Sequence, residues 1–211
     1  MTHFCTSFFG KRCYYILMER IINEHYQGLL EFKNYLEEQI SIMAITLEQV
    51  YETKVIDHTM VRMKSEESIR AKCSKKEIEP TPDNIVANIH DLIGIRIICT
   101  FMDDTFKVRD AVKGIHGIKV MEEKDYITNA KPNGYRSYHM IVQGESGYYA
   151  EIQIRTISMD MWAALEHDIK YKKDIKANKE LITAELKRCA DELASTDISM
   201  QTIRNMIYGR M

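Results

Sequence analysis

The two ends of this chain repeat apolar residues every three or four positions, and the middle alternates every second position. Near the start, Ile22, Tyr26, Leu29, Lys33, Leu36, Ile40, Met43 and Leu47 fall on one stripe. Near the end, Ile182, Leu186, Cys189, Leu193, Thr196, Met200, Ile203 and Ile207 do the same. These spacings predict long helices over about 15–50 and 177–208. Between them the pattern predicts a basic helix near 62–77 and a strand near 92–101. A helix around 104–113 and a strand near 117–122 follow and make a βαβ-like unit. A hairpin turning at Gly144-Glu-Ser-Gly147 and a helix near 158–172 complete the order. Helices at both ends of a mixed sheet define an α+β architecture. Either end stripe, taken alone, reads as intramolecular packing; two of them flanking a compact middle point to subunit contacts and a homo-oligomer.

One strand in that middle carries chemistry. In Glu151-Ile-Gln-Ile-Arg155, strand periodicity points Glu151, Gln153 and Arg155 to one face and Ile152 and Ile154 to the other. Upstream, Asp91 precedes the strand Leu92-Ile-Gly-Ile-Arg96. Two carboxylates with two arginines suit a divalent metal and a polyphosphate: Mg²⁺ takes one or two carboxylates and completes its shell with water and phosphate oxygens. Arg96 and Arg155 offer a fork for phosphate or a flat face for a base. The competing reading makes Asp91 a turn cap and pairs Glu151 with Arg155 or Arg96 in a solvated salt bridge.

Two further segments add cations. Arg62, Lys64, Ser68, Lys72 and Lys75 lie in a stretch of helical composition, with spacings of four, four and three from Lys64 onward. A row of cations with a hydroxyl fits a triphosphate, although an exposed basic face has the same look. In Lys131-Pro-Asn-Gly-Tyr-Arg-Ser-Tyr-His139, the Asn-Gly turn lets backbone approach a ligand. Tyr135 offers a ring for a base, with Lys131, Arg136 and His139 near it.

Composition narrows the class. The net charge is −2, so the positive charge is local, which favours a small anionic ligand over a nucleic-acid surface. At 211 residues and 45% hydrophobic, the chain can bury one core. We read residues 18–211 as a single domain, with core 55–172 between the outer helices, and 1–17 as a loose extension ahead of Met18. The start lacks the basic region of a signal peptide, and no apolar run approaches the length of a membrane span. Cys5, Cys13, Cys73, Cys99 and Cys189 form no Cys-x-x-Cys pair, which fits a reducing cytoplasm, and Cys99 reads as inert packing.

Taken together, Arg62-Met-Lys64 with Ser68 and Lys72, Asp91 to Arg96, Lys124-Asp-Tyr126, Gly134 to His139, Glu151 to Thr156, and Trp162 through Glu166-His167 resemble the synthetase domain of the RelA/SpoT alarmone enzymes. The resemblance is greatest to the stand-alone small alarmone synthetases and runs from about 55 to 172. It implies transfer of pyrophosphate from ATP to the 3′-hydroxyl of GDP or GTP. By matching position, Asp91 and Glu151 would hold Mg²⁺, and Glu151 would take the hydroxyl proton. Arg62 and Arg96 would enclose the adenine; Lys64, Ser68, Lys72 and Lys75 would hold the ATP phosphates. Tyr135 would stack on guanine, with Lys124, Lys131, Arg136 and His139 at the acceptor's phosphates. Asp160 stands where some relatives carry Asn, and either side chain accepts from the guanine edge. Gln153, Arg155, Glu166 and His167 would support these groups, and relatives look like tetramers.

Two other functions share these features. Toxic relatives use an adenosine nucleotide or the tRNA 3′ end as acceptor, and a non-catalytic module could bind single-stranded RNA with the same aromatics and cations. The carboxylate pair argues against simple binding. His90-Asp91 and His167-Asp168 mimic a hydrolase signature, but they lie inside the synthetase blocks.

Overall fold

A computed structural model describes residues 21–171 and 179–209. The expected helix start near Tyr15, the Met18 extension, Cys5 and Cys13 all lie outside the described residues. After a short 3-10 turn at Asn23–His25, the order is α1 (Tyr26–Tyr51), β1 (Ile56–Met63), α2 (Glu66–Lys76) and α3 (Pro82–Asn88). Then come β2 (Ile93–Cys99), α4 (Met102–Lys113), β3 (Ile118–Asp125), β4 (Tyr138–Gly144), β5 (Tyr149–Thr156), α5 (Ile157–Tyr171) and α6 (Lys179–Ile207).

The five strands form one mixed sheet in the order β1-β2-β5-β4-β3. β2 and β5 run parallel, and the other neighbours are antiparallel. Registers carry the sequence alternation across the whole sheet: Ile95 pairs with Ile152, Ile97 with Ile154, and Met140 with Ile152. That face is fully buried and shares one core with Leu29, Leu36 and Ile40 of α1 and Val108 and Val112 of α4. Each such side chain contributes about 1.5–3 kcal/mol by leaving water.

Three expectations need correction. β2, α4 and β3 do not make a βαβ pair, because β3 lies at the far edge and β5 takes the place beside β2. The cause is polarity: β3 carries Glu122, Glu123 and Lys124 exposed, whereas alternate residues of β5 are fully buried, so only β5 can sit centrally. The basic helix near 62–77 begins later, at Glu66. Ser65 caps it by accepting from the Ser68 N–H, and Arg62 belongs to edge strand β1. The N-terminal stripe is no subunit contact: all of its apolar members are buried within the chain's own core.

The C-terminal stripe behaves differently. The second half of α6 docks through polar groups: Asp197 accepts from Thr156 and Ser158, Gln201 accepts from the Asp103 N–H, and Arg204 pairs with Asp103 and Asp104. Met200, Ile203 and Ile207 of the expected stripe face solvent. Cys99 is buried, which pushes its thiol far above the ordinary range, as expected of inert packing.

A candidate nucleotide site on the open sheet face

Sheet registers explain why polar groups collect opposite the core. Glu151 pairs with Gly94, Gln153 with Arg96, and Arg62 with Gly94. On the other side His139 pairs with Gln153, and Lys124 with His139. Arg62, Arg96, Glu151, Gln153, His139 and Lys124 therefore share one face, spread over all five strands.

Two adjoining clefts lie on this face. The first, of about 120 Å³, is lined by Met60, Arg62, Lys64, Asp91, Arg96, Gln153 and Glu151. The second, of about 240 Å³, is lined by Glu122, Lys124, Tyr126, Lys131, His139 and Glu151. Glu151 is the wall they share.

Bonding around Glu151 is nearly continuous. Its Oε1 lies 3.1 Å from His139 Nδ1, and its Oε2 accepts from Gln153 Nε2 at 2.9 Å. Gln153 Oε1 accepts from Arg155, whose same nitrogen donates to the Tyr135 hydroxyl at 2.6 Å. That hydroxyl lies 2.8 Å from His139 Nε2, closing a ring. Because a carboxylate only accepts, His139 Nδ1 carries the hydrogen that faces Glu151, and the Tyr135 hydroxyl accepts from Arg155 while it bonds Nε2. Burial pushes the Glu151 carboxyl up and Asp91 adds to this, but the bonds from His139 and Gln153 outweigh both and hold it below the ordinary glutamate range. The reading of Glu151 as half of a salt bridge to an arginine is thus replaced by a bond to histidine.

Asp91 occupies the turn before β2, where Lys64 Nζ approaches Oδ2 at 3.0 Å and Lys72 Nζ approaches Oδ1 at 2.7 Å. Burial raises its carboxyl, and the two lysines more than reverse this. Asp160 bridges two arginines, Arg96 and Arg155, each at 3.0 Å from Oδ1. Burial and the like charge of Arg155 draw Arg96 below its ordinary value against the pull of Asp160.

Tyr135 meets Tyr126, His139 and Trp162 at ring distances of 5.8–6.5 Å, and Lys131 Nζ stands over both tyrosines. Asn133 donates to Glu166 of α5 and accepts from the Tyr135 N–H, which fixes the turn. Sequence reasoning assigned no role to Tyr126, Asn133 or Met60. For Tyr126 the signal was present, since the alternation Glu122, Lys124, Tyr126 puts all three on one side.

Not every expected residue arrives. Arg136 turns away from the clefts and pairs with Asp191 of α6 at 3.0 Å. Its guanidinium also reaches the carbonyls of Gly134 and Ala190, so contacts with α6 and the turn hold it there. Lys75 is exposed on α2 and lines neither cleft. The Ser68 hydroxyl accepts from Ser65 at the start of α2, and His167 is exposed on α5.

Chemically, two partly buried carboxylates that repel each other offer hard oxygen donors, which fits a divalent cation. Cations on one side and aromatics on the other fit two nucleotides meeting at Glu151.

Comparison with known proteins gives the same direction. A family model described as a region found in RelA / SpoT proteins matches residues 61–176. GTP pyrophosphokinase YwaC of Bacillus subtilis (strain 168) is 39% identical over 179 residues, spanning 82% of this chain and 85% of the relative. YjbM of the same organism, also named GTP pyrophosphokinase, is 33% identical over 159 residues, with 72% and 74% covered. Among solved structures, small alarmone synthetase 2 from Bacillus subtilis superposes with a TM-score of 0.71 at 36% identity, covering 87% of this chain and 100% of that one. Small alarmone synthetase 1 from the same organism, bound to its product pppGpp, also gives 0.71, at 30% identity with 90% and 97% covered. With more than half its length inside the family region and relatives alike over most of both chains, this chain belongs to the RelA/SpoT family.

Proposed function

We propose that the protein is an alarmone synthetase, a GTP pyrophosphokinase that moves the β,γ-pyrophosphate of ATP intact to the 3′-hydroxyl of GDP or GTP and releases AMP. The observation that carries this reading is the position of Glu151, shared by a cationic cleft and an aromatic one. Relatives named GTP pyrophosphokinase and the pppGpp-bound structure support it.

In this reading ATP occupies the first cleft. Arg62 and Arg96 hold the adenine between guanidinium planes, and Lys64 and Lys72, which clasp Asp91, are the cations for phosphate oxygens. The guanine nucleotide occupies the second cleft, with its base toward Tyr135, which lies behind the cleft's Tyr126 and His139, and its phosphates at Lys124, Lys131 and His139. Arg136, paired with Asp191, makes no direct contact with it. Asp160 acts by keeping Arg96 and Arg155 in place instead of reading the base. Glu151 has about four lone-pair sites, two of them used by His139 and Gln153, so it can accept the acceptor hydroxyl's proton while both bonds persist. Asp91 and Glu151 would hold Mg²⁺, which when bound neutralises charge on the transferring phosphates. Phosphoryl transfer through a loose transition state needs positioning and charge more than a strong base, which agrees with a carboxyl held low.

The same reading makes the protein a cytoplasmic homo-oligomer, with a tetramer as the expected state. Exposed Met200, Ile203 and Ile207 on α6 support association, and no described helix is long and apolar enough to cross a membrane. Purified protein given Mg²⁺ and ATP with GDP, GTP or tRNA in parallel should form AMP one for one with a guanosine nucleotide carrying two added phosphates. Transfer to tRNA alone would assign a toxin-like acceptor. No transfer in any arm would leave a binding module.

A further inference from the structure

Helix α6 begins beyond the family region, yet it touches the turn that carries Tyr135. Gly134, at φ +90°, lies so close that an added Cβ would stand 2.6 Å from Ala190 Cβ and 3.1 Å from the Lys187 Cα. Arg136 Nη2 donates to Asp191 Oδ1 at 3.0 Å, and its Nη1 reaches the Gly134 carbonyl at 3.3 Å and the Ala190 carbonyl at 3.5 Å. One guanidinium thus joins the turn's own backbone to the helix. Trp162, which borders the Tyr135 ring, donates to the Leu186 carbonyl one turn earlier. Lys187 holds Asp191 from its other oxygen at 2.6 Å.

From these contacts we propose that Asp191 is a positioning residue for the acceptor: through Arg136 it fixes the Lys131–Tyr135 turn against α6 and so sets the place of the Tyr135 ring. The proposal rests on the assignment of the aromatic cleft to the guanine nucleotide. Arg136 and Tyr135 are adjacent residues joined by one planar peptide unit, so a displacement of the guanidinium is passed directly to the backbone that carries the ring. The pair is partly exposed, so its loss should change affinity only several-fold.

The test compares wild type, Asp191→Ala, Arg136→Ala and the double variant, with Asp191→Glu as the conservative control. Amide hydrogen exchange of residues 131–136, where the Gly134 and Lys131 N–H groups are bonded inside the turn, should quicken in Asp191→Ala while β2 and β5 stay protected. In steady-state assays the KM for the guanine nucleotide should rise about three- to fivefold, with the KM for ATP unchanged and with recovery in Asp191→Glu. The double variant should be no worse than Arg136→Ala alone, since both changes break one contact. Unchanged exchange in the turn, or additive losses in the double variant, would overturn the proposal. Faster exchange with a raised KM for ATP instead would retain the coupling and overturn the assignment of the cleft. Faster exchange in a protein that transfers nothing would likewise retain the coupling and count against the synthetase reading.

Discussion

Burial raises the proton affinity of Glu151, yet bonds from His139 and Gln153 reverse the sign and keep the carboxyl below its ordinary value. A folded value below the unfolded one means stability that is full above about pH 4.3, the unfolded glutamate value, and lost as pH falls through the folded value. The unfolding free-energy difference between wild type and Glu151→Gln should therefore shrink as pH falls from 5 toward 3; a difference that grows over that interval would contradict the assigned bonds. The same variant should lose about 100- to 10,000-fold in transfer rate while its circular dichroism is unchanged. Glu151, Gln153 and Arg155 were legible because strand period puts alternate residues on one face. The partners of Glu151 were not, since a histidine from β4 reaches it only through a register that sequence spacing does not contain. Arg136 was not legible as a contact with α6, because its partner Asp191 lies 55 residues away and spacing does not reveal it.

Among the elements, β5 does two jobs with one alternation, sealing the core with Ile152 and Ile154 and building the site with the residues between them. Ile152→Ala should cost about 2–5 kcal/mol, read as a lower urea midpoint with unchanged slope. A loss under 1 kcal/mol would show that the centre of the sheet is loosely packed. The long helices, the hairpin and β2 were legible from periodicity. Edge strand β1 was not, because Asp57, His58, Thr59 and Arg62 lack a strong apolar alternation and merge with the basic run that follows. Thr81-Pro82 carries the local signal for α3, a cap and a proline at the first helical position.

For the whole molecule, the two terminal stripes look alike in sequence and end in opposite environments. The first is consumed by the core, and the second leaves Met200, Ile203 and Ile207 exposed on α6, beside exposed Ile198 and Met206. Spacing alone does not distinguish them, because what decides is whether polar residues between the stripe positions find partners, as Asp197, Gln201 and Arg204 do. Light scattering at micromolar concentration should give a multiple of the 24.7 kDa chain mass, and a Met200→Glu/Ile203→Glu variant should lower it. A monomer mass for wild type would refute association through this face. The central claim concerns the group that crosses from one cleft to the other. ATP labelled in its β and γ phosphates, incubated with Mg²⁺, GDP and the protein, should deliver both labels together to the 3′ position of the guanosine product, while label in the α phosphate stays in AMP. Transfer of the γ label alone, or of α label to the acceptor, would contradict the account.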